Sequence, residues 1–168
     1  MLLCRCLATK HSFFAIRSFA NQLIFYFVSI CSGLTPNKNN RKIMLLNDFF
    51  TINDTVKSET EIWAELLINS NHKIFEGHFP NQPVVPGVCM MQMIKEILEQ
   101  VIDKETNLVQ AADMKFLAVI NPLENNLIHT SIKYATDETG VINIVASLFK
   151  DELVHFKCKA KLEPLAAL

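Results

Sequence analysis

The sequence predicts an α+β domain in which one long buried helix lies between strand segments on either side of it in the chain. The first observation is a run from Pro86 to Val101 that contains no further proline. Proline is favoured in the first helical turn, and apolar residues dominate the next two turns, as in a buried helix. The second observation is that β-branched and alternating segments flank this run on both sides. The chain has 168 residues, half of them hydrophobic, which is enough for one packed domain.

The elements can be placed in order along the chain. Two strands are predicted before the helix, at 51–59 and 61–69, behind an apolar cluster at 44–50. The helix is expected to end near Asp103. Four strand-like segments follow, at 108–120, 126–135, 141–150 and 153–162. The last alternates most cleanly, and its predicted inward set is Phe156, Cys158, Ala160 and Leu162. We therefore expect a strand pair, one helix and a meander of antiparallel strands.

The charge distribution divides the chain at residue 44. Residues 1–43 contain six basic residues and no acid, whereas 44–168 carry ten lysines against seventeen acids, a net charge of −7. The apolar run at 23–30 is too short to span a membrane, which needs roughly 20 residues. The leading segment is similar in composition to an organelle transit peptide, or it is upstream-translated sequence ahead of an initiator at Met44. We expect 1–43 to lie outside the fold and 44–168 to form one domain.

Composition also excludes several classes of function. The acidic, arginine-free part of the chain is unsuited to nucleic acid, and no segment is predicted to span a membrane. The cysteines and histidines show no metal-ligand spacing, so we expect neither a metal nor a cofactor. Cys89 and Cys158 are the two cysteines after residue 43, and the absence of paired cysteines there fits a reducing compartment. We predict a cytoplasmic protein.

The stretch at 76–92 combines a stiff loop with a helix start. Pro80, Pro83 and Pro86 restrict the backbone, so 77–85 should be an extended loop that carries His78. The amino end of a helix has free N–H groups and a positive dipole. Such an end can polarise a carbonyl oxygen while a nearby histidine acts as a base.

This stretch resembles the signature of the 3-hydroxyacyl-acyl carrier protein dehydratases, which have the hotdog fold. The matching residues are Gly-His-Phe-Pro at 77–80 and Pro-Val-Val-Pro-Gly-Val at 83–88, ahead of the central helix. The resemblance implies a curved antiparallel sheet wrapped around that helix, over about 44–162. It further implies a dehydratase acting on 3-hydroxyacyl chains of an acyl carrier protein, in fatty acid or related polyene or lipid biosynthesis. His78 would be the base, and the Gly87 N–H would be the oxyanion donor.

The chain departs from the family pattern at two positions. Asn81 stands where the family has glycine. Gln92, fourteen positions after the histidine, stands where the family has its catalytic glutamate or aspartate. A carboxamide does not ionise, and loss of a positioned acid typically costs about 10²–10⁴-fold in rate. Glu96 lies one turn later, about 6 Å further along the axis, and is not expected to replace the acid.

Three functions therefore remain open. The first is a dehydratase, the second is a hotdog thioesterase in which Gln92 orients a water, and the third is a non-catalytic acyl-binding subunit of a heterodimeric dehydratase. The expected contacts of the acyl chain are Phe79, Pro86, Val88 and Met91. His72, His129 and His155 are expected to be structural.

The family resemblance also implies assembly. We expect a homodimer or a heterodimer of hotdog protomers, in which the histidine of one chain faces position 92 of the other. An edge strand at 153–162 would be covered in the dimer. Lys157, Lys159 and Lys161 share one face of that strand, either as a solvated face or as a docking patch for an acidic carrier protein.

Overall fold

The computed structural model describes residues 44–77 and 82–165. Six strands and one long helix follow one another as the sequence predicts, with boundaries within a few residues of those expected, and a short helix that was not predicted precedes the long one. In chain order they are β1 (Phe50–Lys57), β2 (Glu61–Ile68), α1 (Ile74–Gly77), α2 (Gly87–Ile102), β3 (Thr106–Phe116), β4 (Leu127–Thr136), β5 (Ile142–Lys150) and β6 (Leu153–Pro164). Together they form one antiparallel sheet around a long helix, the predicted α+β hotdog architecture.

Helix α2 is the centre of the core. Its buried residues occur in every turn rather than along one narrow stripe, which is the pattern of a helix enclosed by a sheet. They are Cys89, Met90, Met91, Met93, Ile94, Glu96, Ile97, Leu98 and Glu99. The helix ends at Asp103, as predicted, where the backbone turns left-handed (φ 52°) and the N–H of the cap bonds the Glu99 carbonyl oxygen.

The strand order is β1-β2-β4-β5-β6-β3. The expected simple meander is therefore wrong for the strand that follows the helix. Because α2 carries the chain across the face of the sheet, β3 joins the far edge beside β6, and β4 then returns to pair with β2. The strands β4, β5 and β6 form the meander.

This order also corrects the expectation for the last strand. β6 is not an edge, because it pairs with β5 on one side and β3 on the other. The two edges are β1 and β3. The predicted faces of β6 are confirmed: Phe156, Cys158, Ala160 and Leu162 are buried, and the three lysines between them are exposed. Those lysines therefore occupy the outer face of the sheet rather than protecting an edge.

The segment before α2 differs from the expected single extended loop. Gly77 belongs to the short helix α1. The chain is extended again at Pro86, which has φ −63° and ψ 142°. His78 and Phe79 lie outside the described residues, as do 1–43. Among the described residues, no helix is long and apolar enough to cross a membrane.

Candidate functional site

An open, mostly apolar pocket of about 420 Å³ lies at the start of α2. It forms where the proline segment runs beside the residues that follow β3, and the Val85 N–H donates to the Ile120 carbonyl oxygen at 2.9 Å to hold the two segments together. The lining residues are Val84, Val85, Pro86, Gly87, Met90, Phe116, Leu117, Ala118 and Val119. Convergence of an apolar wall on a helix start is a common form of ligand site.

Gly87 is required by the approach of an aromatic ring. A Cβ atom at this position would lie 2.5 Å from Cε1 and 2.7 Å from Cζ of Phe116. The Phe116 ring stacks on the buried Phe156 with centroids 4.9 Å apart, yet more than half of its surface is exposed. Since a methyl group would displace this ring, glycine lets the aromatic wall of the pocket reach the first residue of the helix.

The start of α2 offers backbone donors. The Pro86 carbonyl oxygen accepts the N–H groups of Cys89 at 3.0 Å and Met90 at 3.2 Å. No side chain caps this end of the helix. The N–H groups at the first positions of a helix have no intrahelical acceptor, and they carry the positive end of the dipole. Gly87 lines the pocket at this end of the helix, so its N–H is a candidate oxyanion donor.

Gln92 makes a contact that the sequence did not reveal. Its Nε2 donates to Oε1 of Glu96 at 2.7 Å, and its side chain is half-buried. Glu96 in turn accepts the Leu45 N–H at 2.9 and 3.0 Å and the Leu46 N–H at 2.8 Å. The carboxylate thus fastens the segment before β1 to the helix. Because its oxygens are taken by these donors, Glu96 is not a free acid facing the pocket.

The ionisation of Glu96 reflects two opposed effects. Burial raises the pKa of the carboxyl, and the hydrogen bonds from Gln92, Leu45 and Leu46 act in the opposite direction, as does the charge of Lys95. Only 2% of the Glu96 surface is exposed. Desolvation of a buried charge is the larger effect here.

Of the predicted substrate contacts that the structure describes, one lines the pocket and two do not. Pro86 lines the pocket, whereas Val88 packs against the core and Met91 is buried within it. Met90, one residue earlier, supplies the methionine of the lining. The helical pattern shows that neighbouring side chains point in different directions, but it does not show which of them faces the pocket. His78 and Phe79, the base and an acyl contact of the sequence analysis, lie outside the described residues.

His155 does not line the pocket, but it contacts the segment that does, a placement that the sequence did not indicate. Its ring is buried, and Nδ1 lies 3.0 Å from the Val119 carbonyl oxygen, while its own carbonyl oxygen accepts the Leu117 and Ala118 N–H groups. The register between β5 and β6 shifts at this point, and such a bulge turns an otherwise outward side chain inward. The alternation of β6 alone could not predict it.

The other histidines have structural surroundings. His129 stacks on Trp63 with centroids 5.1 Å apart, and His72 contacts Asp48 at 3.3 Å. Cys89 and Cys158 are buried free thiols, and burial raises the pKa of Cys158 to about 11. Within 44–77 and 82–165, no group of three or more potential ligands could hold a metal ion.

An antiparallel sheet around one long helix, with a pocket at the helix start, defines a hotdog-fold protein. Residues 54–147, more than half of the chain, match the family model described as ApeI-like, ApeI dehydratase. The chain belongs to the ApeI-like dehydratase family.

Individual relatives agree with this assignment. The chain is 27% identical over 107 residues to the 3-hydroxyacyl-[acyl-carrier-protein] dehydratase FabZ of Lactobacillus helveticus, covering 60% of this chain and 63% of the relative. It spans 50% of the length of the corresponding Rickettsia typhi protein, at 30% identity over 73 residues.

Two solved structures share the fold. One is the dehydratase heterocomplex ApeI:P from Xenorhabdus doucetiae, with a TM-score of 0.54 and 21% identity over 66% of this chain and 95% of that one. The other is a hypothetical thioesterase protein with coenzyme A from Streptococcus pneumoniae, with a TM-score of 0.53 and 7% identity over 73% and 94% of the two chains. At these identities the likeness concerns the fold alone.

Proposed function

We propose that this chain is a dehydratase-type protein that acts on 3-hydroxyacyl thioesters carried by acyl carrier protein, in fatty acid or related lipid biosynthesis. The observation that carries the proposal is the pocket at the uncapped start of α2, where Gly87 meets the ring of Phe116. In the sequence, this helix start comes shortly after the Gly-His-Phe-Pro segment. The chain also belongs to a dehydratase family. Its apolar lining suits an acyl chain.

Each residue of the proposed site has one chemical task. His78 takes the proton next to the thioester carbonyl, and the Gly87 N–H stabilises the enolate-like oxygen that develops. Gln92 bonds the 3-hydroxyl group without protonating it, because an amide is not an acid at ordinary pH. The proton that leaves with the hydroxyl must come from another donor, such as a water or a partner chain. Slow turnover by the isolated chain follows.

A thioesterase is the second candidate. The specific observation in its favour is Gln92, since an amide held in place by Glu96 can hold a water for attack on the thioester carbonyl. A likeness to a structure titled as a thioesterase adds only the shared fold. The two candidates differ in their products, which are a carrier-bound 2-enoyl chain and a free acid.

The proposed assembly is a dimer of hotdog protomers. β3 is an edge of the sheet, and an unpaired edge strand is a ready template for a second chain. Exposed apolar residues continue from this edge to the pocket: Met114, Phe116, Leu117 and Val119. In a homodimer, both sites carry an amide at position 92. In a heterodimer, the partner chain bears glutamate or aspartate at the position equivalent to 92. That acid completes the site around His78 of this chain.

The proposed carrier contact is the outer face of the sheet. Lys157 pairs in register with Lys115, and Lys159 pairs with Asp113 on the same edge. Lys157, Lys159 and Lys161 are exposed. An acidic carrier protein would be attracted to this face, and the attraction should weaken with salt. Such a soluble carrier and substrate fit the proposed cytoplasmic location.

The test is product analysis with purified protein and carrier-bound 3-hydroxyacyl chains of several lengths. Mass spectrometry of the carrier should show loss of one water, at a rate that His78→Ala abolishes while the thermal transition stays nearly unchanged. His72→Ala is the matched control, because His72 lies outside the pocket and bonds Asp48. Free carrier with free acid would establish the thioesterase instead. An active His78→Ala variant would end the assignment of the base.

A further inference from the structure

The residue at position 92 is held in one orientation by its neighbour one turn along the helix. Gln92 Nε2 lies 2.7 Å from Glu96 Oε1, and both residues belong to α2. Glu96 is itself immobilised, because it is buried and accepts the backbone N–H groups of Leu45 and Leu46. A side chain fixed at both carboxylate oxygens provides a rigid anchor for the amide.

This anchor determines which end of the amide faces away from it. Both carboxylate oxygens of Glu96 already accept backbone N–H groups, so the amide presents its NH₂ group to Glu96 rather than its oxygen. The side-chain oxygen of Gln92, Oε1, then points away from Glu96. Among the described residues, no donor bonds this oxygen. This oxygen can therefore accept a hydrogen bond from a hydroxyl group, an N–H group or a water molecule.

We propose that Glu96 is a positioning residue that orients Gln92 as a fixed hydrogen-bond acceptor for the hydroxyl group of a 3-hydroxyacyl ligand. The inference rests on the proposed function and on the proposed dimer, in which position 92 of one chain faces the site of its partner, and it specifies how that site recognises its substrate. The hydroxyl group donates its hydrogen bond to the Gln92 side-chain oxygen, so the hydroxyl oxygen keeps its lone pairs free for protonation by an external donor. Glu96 itself does not touch the ligand.

The test is a comparison of two ligands that differ only in the hydroxyl group. A 3-hydroxyacyl and a saturated acyl chain of equal length are joined to pantetheine through an amide, which slows any reaction, and their Kd values are measured by calorimetry. The wild-type protein should bind the hydroxylated ligand about two- to tenfold more tightly, the contribution of one hydrogen bond. Glu96→Gln should bring the ratio of the Kd values to about one, because an amide at position 96 can bond either end of Gln92.

Two further variants keep the comparison interpretable. Gln92→Met removes the acceptor and leaves the bonds of Glu96 to Leu45 and Leu46, so it should lose the same preference even if Glu96→Gln folds poorly. Glu99→Gln is the matched control: Glu99 is a buried glutamate on the same helix, but it bonds Lys95 and Thr106, and this variant should keep the preference.

The outcomes separate the inference from the function on which it rests. Loss of the preference in both Glu96→Gln and Gln92→Met supports the inference. A preference that survives in either variant overturns it, and so does a wild-type protein that binds both ligands equally, which would point to a water at Gln92. If the wild-type protein binds neither ligand, the proposed function itself fails and the inference falls with it.

Discussion

At the scale of single residues, the proposed chemistry depends on an amide at position 92, where the family resemblance implies a carboxylic acid. The nearby carboxylate of Glu96 accepts the Leu45 and Leu46 N–H groups and the Gln92 amide. A general acid contributes typically about 10²–10⁴-fold to rate. We therefore expect the chain alone to bind an acyl ligand but to dehydrate it slowly.

The pair of residues at 92 and 96 gives a pH-dependent prediction. Gln92→Glu places a second carboxyl where Nε2 now lies 2.7 Å from Glu96, and two neighbouring carboxylates raise each other's pKa. The pKa of Glu96 is already raised above its ordinary 4.5 by burial. A carboxyl with a raised pKa stabilises the fold below its unfolded pKa, and this stability is lost as the pH rises through the folded pKa.

The free energy of unfolding of Gln92→Glu should therefore fall more steeply than that of the wild type as the pH rises from about 4.5 to neutrality, by about 1.4 kcal/mol for each unit of additional shift. Urea unfolding at a series of pH values measures this slope. Gln92→Met is the control, since it adds no titrating group. Parallel curves for Gln92→Glu and the wild type would show that the two side chains do not meet.

Local and long-range contacts of the site differ in how far they could be predicted. The spacing from His78 to Gln92 is local, so the proposed departure at position 92 could be inferred from the chain alone. The bond from Glu96 to Leu45 joins residues 51 apart in sequence. Such a contact depends on the path of the chain around the helix, and no local pattern encodes it.

At the scale of elements, the junction between the proline segment and α2 is the most constrained part of the site. Pro86 fixes the entry into the helix, and Gly87 leaves space for the Phe116 ring. The ring is the exposed end of a side chain, so it can move aside at small cost.

We expect Gly87→Ala to leave the melting temperature within a few degrees of the wild type, because the displaced ring faces solvent, while acyl-ligand affinity falls about tenfold or more through distortion of the pocket wall. Thermal denaturation and ligand titration measure the two effects. Gly140→Ala is a contrasting control: its φ of 84° makes a side chain strained, yet it lies in the β4–β5 turn, so it should lower stability and leave affinity unchanged. Unaltered affinity in Gly87→Ala would contradict the proposed wall.

The elements themselves were largely predictable, whereas their order in the sheet was not. Alternation along β6 correctly divided Phe156 and Cys158 from the lysines, because side-chain direction is a local property of a strand. Whether β6 is central or at the edge depends on where β3 joins the sheet, which is decided by the crossover of α2. The same limit applies to His155, whose direction follows from a bulge.

At the scale of the whole molecule, the limits of the domain are open to test. Leu45 is buried, and its N–H bonds Glu96, so the domain needs the chain from this residue onward. The acid-free composition of 1–43 predicts that this segment contributes nothing to the fold.

A chain that begins at Met44 should therefore keep the melting temperature of the full chain, whereas one that begins at Asn47 should lose about 2–5 kcal/mol of stability through the missing Leu45 side chain and the unpaired carboxylate. Denaturant unfolding of the two shortened chains and the full chain provides the comparison. A large loss on removal of 1–43 alone would show that the leading segment packs on the domain.

The central claim is that this chain has a dehydratase site in which an amide replaces the acid. The most direct test is the initial rate at which carrier-bound 2-enoyl chains form, compared between the wild type and the double variant Gln92→Glu/Glu96→Gln. The exchange puts an ionisable group at the family's position, and the new amide at 96 can still donate to it. We expect slow formation of the 2-enoyl chain by the wild-type protein and a rate about tenfold or more higher in the double variant. A folded double variant that is no faster than the wild type, or free acid as the product of either protein, would contradict it.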